Sequence, residues 1–385
     1  MSSGVVAIDG TKIHANASRD ANVDYDRVAR EIIAEAIGTD EAEDEEHGEA
    51  RGDELPVELS TEDGRREWLA RELEQPGNLD SEPGADDRTL GEDDSERGAG
   101  HEFDAERIVA RTQGRAGWLR EAKRQLDQDR WLGAGPIPRS RSERLWEAGR
   151  RLEDELAAEW RGNDAYEHYR ATARDKLGRR FSAPPKPHQP PASPQGEVNL
   201  TDPDARVMRA FRGYVQGYNA QAAVNEQQIV LAAEVTVDPG DFSHLQPMLT
   251  ATLGELEQAG IAEQPHVAVA DAGYWNEQHM DDVTADHGIQ VLIPPDASKR
   301  DGPRPGWTGG RYDWMRRVLA TQPGEDLYRK RKQTVEPVFG HTKHNRHFTR
   351  FHRRGRSAVR TEWRLMMMTH NLTKLHTNQL AAAGP

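Results

Sequence analysis

At 385 residues the chain could hold two or three average domains, or one domain with a large insertion. It has no cysteine, which excludes a disulfide framework, a thiolate metal site and a thiol nucleophile and fits a reducing compartment. No basic leader precedes an apolar run and no stretch approaches about eighteen apolar residues, so a cytoplasmic protein without a membrane span is expected.

The net charge of −15 would disfavour a polyanionic partner if it were evenly spread. Between Asp40 and Glu106, however, acids outnumber Lys and Arg by about twenty, whereas from Lys299 to Lys374 the bases lead by roughly thirteen. Local field governs encounter with a polyanion. The C-terminal block is therefore a DNA-binding candidate.

In chain order, Val5 to Ile8 is a short apolar run before the turn-forming pair Asp9-Gly10, which predicts a buried strand ending at a carboxylate. Val28, Ile32, Ile33 and Ala36 then repeat at helical spacing, and Thr39 to Gly100 shows no period and predicts a loop. Amphipathic helices are expected at about 103–130 and 141–178, the second with Leu145, Leu152, Leu156 and Trp160 on one face. The run Pro184 to Pro194 reads as a polyproline-type linker.

Strands return at Gly213 to Glu226 and Gln228 to Val237, followed by a helix through Leu245, Met248, Leu249, Leu253 and Leu256. His266 to Ala270 is the next strand, ending at Asp271, and Asn276 is placed to cap a helix before the strand Ile289 to Ile293. Residues 296–325 read as a Gly/Pro-rich basic loop, and helices are expected over about 335–346, with Pro337 in the first turn, and over 357–376. This order predicts an α/β fold with a mixed sheet flanked by helices.

Asp9, Asp271 and Glu336 are the candidate acids. Each alone is ordinary: a turn Asp, a cap Asp and a helix-surface Glu. Acids at the C-terminal ends of neighbouring parallel strands share one rim, and a later helix can carry Glu336 across to them. Three converging carboxylates repel unless a cation joins them, and magnesium takes such hard oxygen ligands.

These residues resemble a known family. Asp9 in Ala-Ile-Asp-Gly-Thr-Lys, Asp271 in Ala-Asp-Ala-Gly-Tyr, and Tyr328-x-x-Arg331 followed by Glu336 and then Lys343 are similar to the DDE transposases of bacterial insertion sequences. The resemblance extends to Asp202-Pro-Asp-Ala-Arg206 and to Gly213 through Gln221. It implies a ribonuclease H-like fold in which Asp9, Asp271 and Glu336 bind two Mg2+ ions, with Mn2+ as a substitute. It implies cleavage and strand transfer on element-end and target DNA, by a chain that dimerises on DNA. Residues 1–20 are then the first strand of the catalytic domain, 21–183 a helical, acidic and partly disordered insertion, 184–200 the linker, and 201–376 the remainder with its basic helices.

Two departures stand out. Four residues, rather than three, separate Arg331 from Glu336, and the chain starts eight residues before Asp9, as the C-terminal portion of a longer transposase would. A non-catalytic, DNA-binding remnant is the alternative. A haloacid-dehalogenase-like phosphohydrolase would need a second acid two positions after Asp9, where Thr11 stands.

Lys330, Arg331, Lys332 and Lys343 are expected along or beside the Glu336 helix, facing DNA phosphates, and Tyr328 is read either as stacking or hydrogen-bonding to DNA near the site or as a core tyrosine. Arg346, Arg350, Arg353, Arg354 and Arg356 interleave with aromatic residues as nucleic-acid surfaces do. His341, His344 and His347 are read as DNA-facing rather than as zinc ligands, Met366 to Met368 with Leu365 and Leu372 as the core face of the last helix, and Trp131, Trp146 and Trp160 as packing residues.

Overall fold

In a computed structural model, which describes residues 4–47, 57–74, 115–132, 137–172, 188–210, 213–296 and 302–383, the first apolar run does not stop at Asp9. It continues as β1, Val5–His14, because its far half is paired. Residues Val6 to His14 run antiparallel to β3, Gly213–Asn225, in a register from Val6↔Asn225 to His14↔Gly217. The ladder keeps Asp9-Gly10 extended where the sequence suggested a turn.

On its other edge β1 pairs in parallel with β5, Val267–Ala270, through Val5–Ile8, and at its far end His14 forms a parallel bridge to Arg350. Asp9 stands just past the β5 pairing, at the lip of the gap between the two. Two further strands, β2 (Arg206–Ala210) and β4 (Val230–Thr236), run antiparallel to β3, and β6 (Gln290–Leu292) runs parallel to β5. The order across the sheet is β2-β3-β1-β5-β6, with β4 also on β3.

Helices α1 (Leu245–Gln258), α2 (Glu277–His287), α3 (Gly310–Leu319), α4 (Gln322–Gly340) and α5 (Arg356–Ala383) complete this unit, a mixed α/β sheet flanked by helices. Val6, Ala7, Ile8, Val224, Ala268 and Val269 are fully buried, as expected of strands covered on both faces. Val335, Val338 and Trp363 bring α4 and α5 into the same core.

Several expectations change here. The stretch read as a basic loop contains α3, and α4 begins at Gln322, well before the expected start. Its start signal is Thr321, whose hydroxyl accepts from Gly324 N at 3.2 Å, with Pro323 in the first turn. Pro337 is therefore inside the helix, close to its end, and a π-helical turn, His341–Asn345, follows. On α5 only Met367 of the expected Met/Leu face is fully buried, while Leu365, Met368 and Leu372 are exposed. Periodicity sets which residues share a face but not which face meets the sheet.

The chain divides into two compact units, Met1–Ala17 with Asp204–Pro385, just described, and Ser18–Pro203. The second is built from helices Tyr25–His47, Glu62–Glu74, Arg115–Leu132 and Arg141–Thr172, with a short strand pair, Asn22–Val23 and Val198–Asn199. Val28, Ile32, Leu69, Leu145 and Leu152 form its core. Helix therefore occupies 39–47 and 62–74 within the stretch expected to be a loop, while 48–56 and 75–100 lie outside the described residues. Trp160, expected on the packed face, is exposed. The helix starts at 103–114, the helix end at 173–178 and the linker at 184–187 also lie outside them.

Candidate metal and phosphate site

Asp9, Asp271 and Glu336 are brought together around one guanidinium. Arg331 Nη2 lies 2.8 Å from Asp9 Oδ2 and 3.8 Å from Asp271 Oδ2, and its Nη1 lies 3.6 Å from Glu336 Oε1. Asp9 and Asp271 are adjacent because each follows the last residue of the parallel β1/β5 pairing. Asp271 also caps the 3-10 turn Ala272–Tyr274, accepting from Gly273 N at 2.8 Å, and Asp9 Oδ1 accepts from Gly10 N at 2.9 Å.

The five-step offset between Arg331 and Glu336 on α4 turns their side chains to different sides of the helix. Arg331 points inward and is buried, and Glu336 points outward with its side chain 52% exposed. The long arginine reaches round to close the gap. Asp271, at 41%, is also open to solvent, whereas Asp9 is 14% exposed. Burial pushes the Asp9 carboxyl up to about 6; Arg331 opposes this, and Asp271 and Asp241 add to it.

Among the described residues no three His, Asp or Glu side chains are collapsed into a ligand set, because the guanidinium stands between the acids. The donor chemistry nevertheless suits a hard cation, since three carboxylates already share one positive charge. The buried Nε of Arg331 has no hydrogen-bond partner, so this cation is held by charge without its full set of bonds.

The other candidates divide into two groups. Lys332, Arg350 and Arg353 are exposed. The rest bind protein groups: Lys330 Nζ contacts Glu226 at 2.6 Å, and Lys343 Nζ bonds Thr11 Oγ1 at 2.5 Å and the Lys12 carbonyl at 2.9 Å. Arg346 donates to Thr369 and to Thr373 at 3.0 Å, Arg354 Nε to the Asn16 carbonyl at 3.0 Å, and Arg356 Nε to the Val235 carbonyl at 3.0 Å. Arg346 thus ties the segment to α5, Arg356 ties it to β4, and Arg354, itself exposed, ties it to the chain just past β1. Tyr328 is half-buried, and burial raises its hydroxyl pKa. His341 faces the buried His370, with Nδ1 atoms 3.3 Å apart, while His344 and His347 are exposed.

Sequence reasoning missed Asp241. Its Oδ1 accepts from Asn219 Nδ2 and Gln221 Nε2, each at 2.8 Å, and lies 3.6 Å from Lys12 Nζ. The only local signal was an acid after Pro239-Gly240, which reads as a turn.

Residues 307–376 match the family described as "Transposase DDE domain". That span contains Tyr328, Arg331, Glu336 and Lys343 but neither Asp9 nor Asp271. Comparison with curated proteins and with solved structures gave no match.

Proposed function

With a transposase DDE domain present over residues 307–376, we propose that this chain is a DDE transposase that cleaves DNA phosphodiesters with divalent metal and joins the freed 3′ end to target DNA. The observation that carries the reading is that Asp9, Asp271 and Glu336, from two strand ends and one helix, each lie within 4 Å of the Arg331 guanidinium. The strand order, with β1 antiparallel to β3 and parallel to β5, supports a ribonuclease H-like arrangement.

Asp9, Asp271 and Glu336 would hold Mg2+ or Mn2+, which when bound supplies activation of a water or 3′-hydroxyl and charge stabilisation at phosphorus. Asp9 is ionised above about pH 6 and presents oxygen only. Arg331 balances the acids and fixes the position of Asp9. Asp271 and Glu336, both solvent-accessible, leave the site open to a DNA backbone, and Lys332, Arg350 and Arg353 are exposed to meet its phosphates. No protein nucleophile is needed.

The test is nicking of supercoiled plasmid with and without Mg2+ or Mn2+. Metal-dependent nicking that falls at least about a hundredfold in Asp271→Asn, with DNA binding retained, is expected. Equal nicking by wild type and Asp271→Asn would overturn the assignment, and DNA binding without any nicking would favour the non-catalytic alternative.

A further inference from the structure

Directly after Asp9, Gly10 leaves a gap on the other face of β1. A Cβ there would lie 2.2 Å from Gln221 Nε2, 2.7 Å from Asp241 Oδ1 and 2.8 Å from Asn219 Oδ1. The Asp241 carboxylate occupies that gap. The register pairs Gly10 with Gln221 and Lys12 with Asn219, so all four residues share one face of the sheet. The two amides fix the carboxylate, and Lys12 Nζ comes to 3.6 Å from it with both side chains largely covered.

Lys12 lies in the field of three acids. Burial lowers its ammonium pKa; Asp241 is the strongest opposing charge, and Asp9 and Asp271 act more weakly in the same sense. Without Asp241, the only acids left for this ammonium among those three are the two proposed to take metal. Arg331 already sits against them, and a second cation would have to be displaced by any divalent ion.

We infer that Asp241 is a positioning residue: it holds Lys12 away from Asp9 and Asp271 and so leaves those carboxylates available to a divalent cation. This role rests on the metal reading of the site given above. Gly10 belongs to the same device, since a Cβ there would collide with the Gln221 amide at 2.2 Å and the Asp241 carboxylate at 2.7 Å.

The probe is Mn2+, titrated into metal-free full-length protein and followed by electron paramagnetic resonance. Asp241→Asn should weaken Mn2+ binding about tenfold, Lys12→Met should tighten it, and the double variant should return to within about threefold of wild type. Wild-type affinity in Asp241→Asn, or a double variant as weak as Asp241→Asn, would overturn the inference. Should Asp241→Asn not fold, Lys12→Met decides, because weaker Mn2+ binding by it contradicts a competing role for Lys12.

A second readout needs no metal. The 13C resonance of dimethylated Lys12, assigned with Lys12→Arg, should titrate at lower pH in Asp241→Asn, since its nearest carboxylate is gone. An unmoved titration would overturn the pairing. Absence of Mn2+ binding by the wild type would overturn the metal reading itself, and the lysine titration tells these two failures apart.

Discussion

Both units carry ion pairs between neighbours on one helix, Arg27–Glu31 and Arg66–Glu62 in Ser18–Pro203 and Arg329–Glu325 in the sheet unit, and both join distant segments, as Arg65–Asp26 does in the helical unit. The sheet unit differs in gathering several carboxylates around covered cations at strand ends: Arg331 with Asp9, Asp271 and Glu336, and Lys12 with Asp241. The pairs along one helix are local and partly solvated, and each is worth little. The gathered charges repel or are desolvated, and such an arrangement persists only because the surrounding ladder and helices hold it. That contrast separates solubility from chemistry: scattered pairs along a helix keep a charged chain solvated, whereas carboxylates gathered on one covered guanidinium at two strand ends make a candidate site.

Four measurements can break or sharpen this contrast. Arg331→Ala should be the most damaging, destabilising the sheet unit by about 3 to 5 kcal/mol, because it leaves Asp9 covered and uncompensated. Urea melts should show the loss partly restored by millimolar Mn2+, the one cation replacing the other. A loss below about 1 kcal/mol would mean that the pair behaves like those of the helical unit.

Next in size is a pH effect. Asp9 titrates at about 6 in the folded protein against an ordinary 3.8, so the folded state keeps its proton more tightly than the unfolded chain does. Stability from this group is fully present below about pH 4 and is lost as pH rises through 6. The stability of wild type relative to Asp9→Asn should therefore fall by about 2 kcal/mol between pH 4 and 7, with the difference flat above that. A flat difference throughout would show Asp9 to be as well solvated as a surface carboxylate.

A smaller effect concerns DNA. Lys332→Ala and Arg353→Ala, both exposed, should each flatten the slope of log affinity against log salt by up to about 0.9. Arg356→Ala should leave the slope nearly unchanged and lower stability instead, because its Nε is committed to the Val235 carbonyl. The reverse pattern would place the DNA face elsewhere. Smallest of all, Arg30→Ala in the helical unit, whose side chain is 58% exposed in its i,i+4 pair with Asp26, should cost under about 0.5 kcal/mol. A loss above 1 kcal/mol would erase the distinction between the units.

The sequence by itself pointed to three candidate acids and to most of the elements that carry them. Asp9 and Asp271 were legible because each follows a β-branched apolar run, and Tyr328, Arg331, Glu336 and Lys343 because their spacing is a local property of one stretch of chain. The Ser18–Pro203 helices at Tyr25 and Arg141 were legible for the same reason, through short-range periodicity. What only the tertiary structure decided is non-local. Pairing with β3 carried β1 straight past Asp9-Gly10, and the docking of α5 on the sheet chose Met367 over Leu365 and Met368. Asp241 belongs with these: it lies in an aperiodic Pro-Gly-Asp turn, and nothing within ten residues of it signals a role. Its place comes from the register that sets Gly10 opposite Gln221 and Lys12 opposite Asn219, across more than two hundred residues of chain. Local propensity is written in neighbouring residues, whereas a partner's charge acts through space and is known only once the chain has brought the two together.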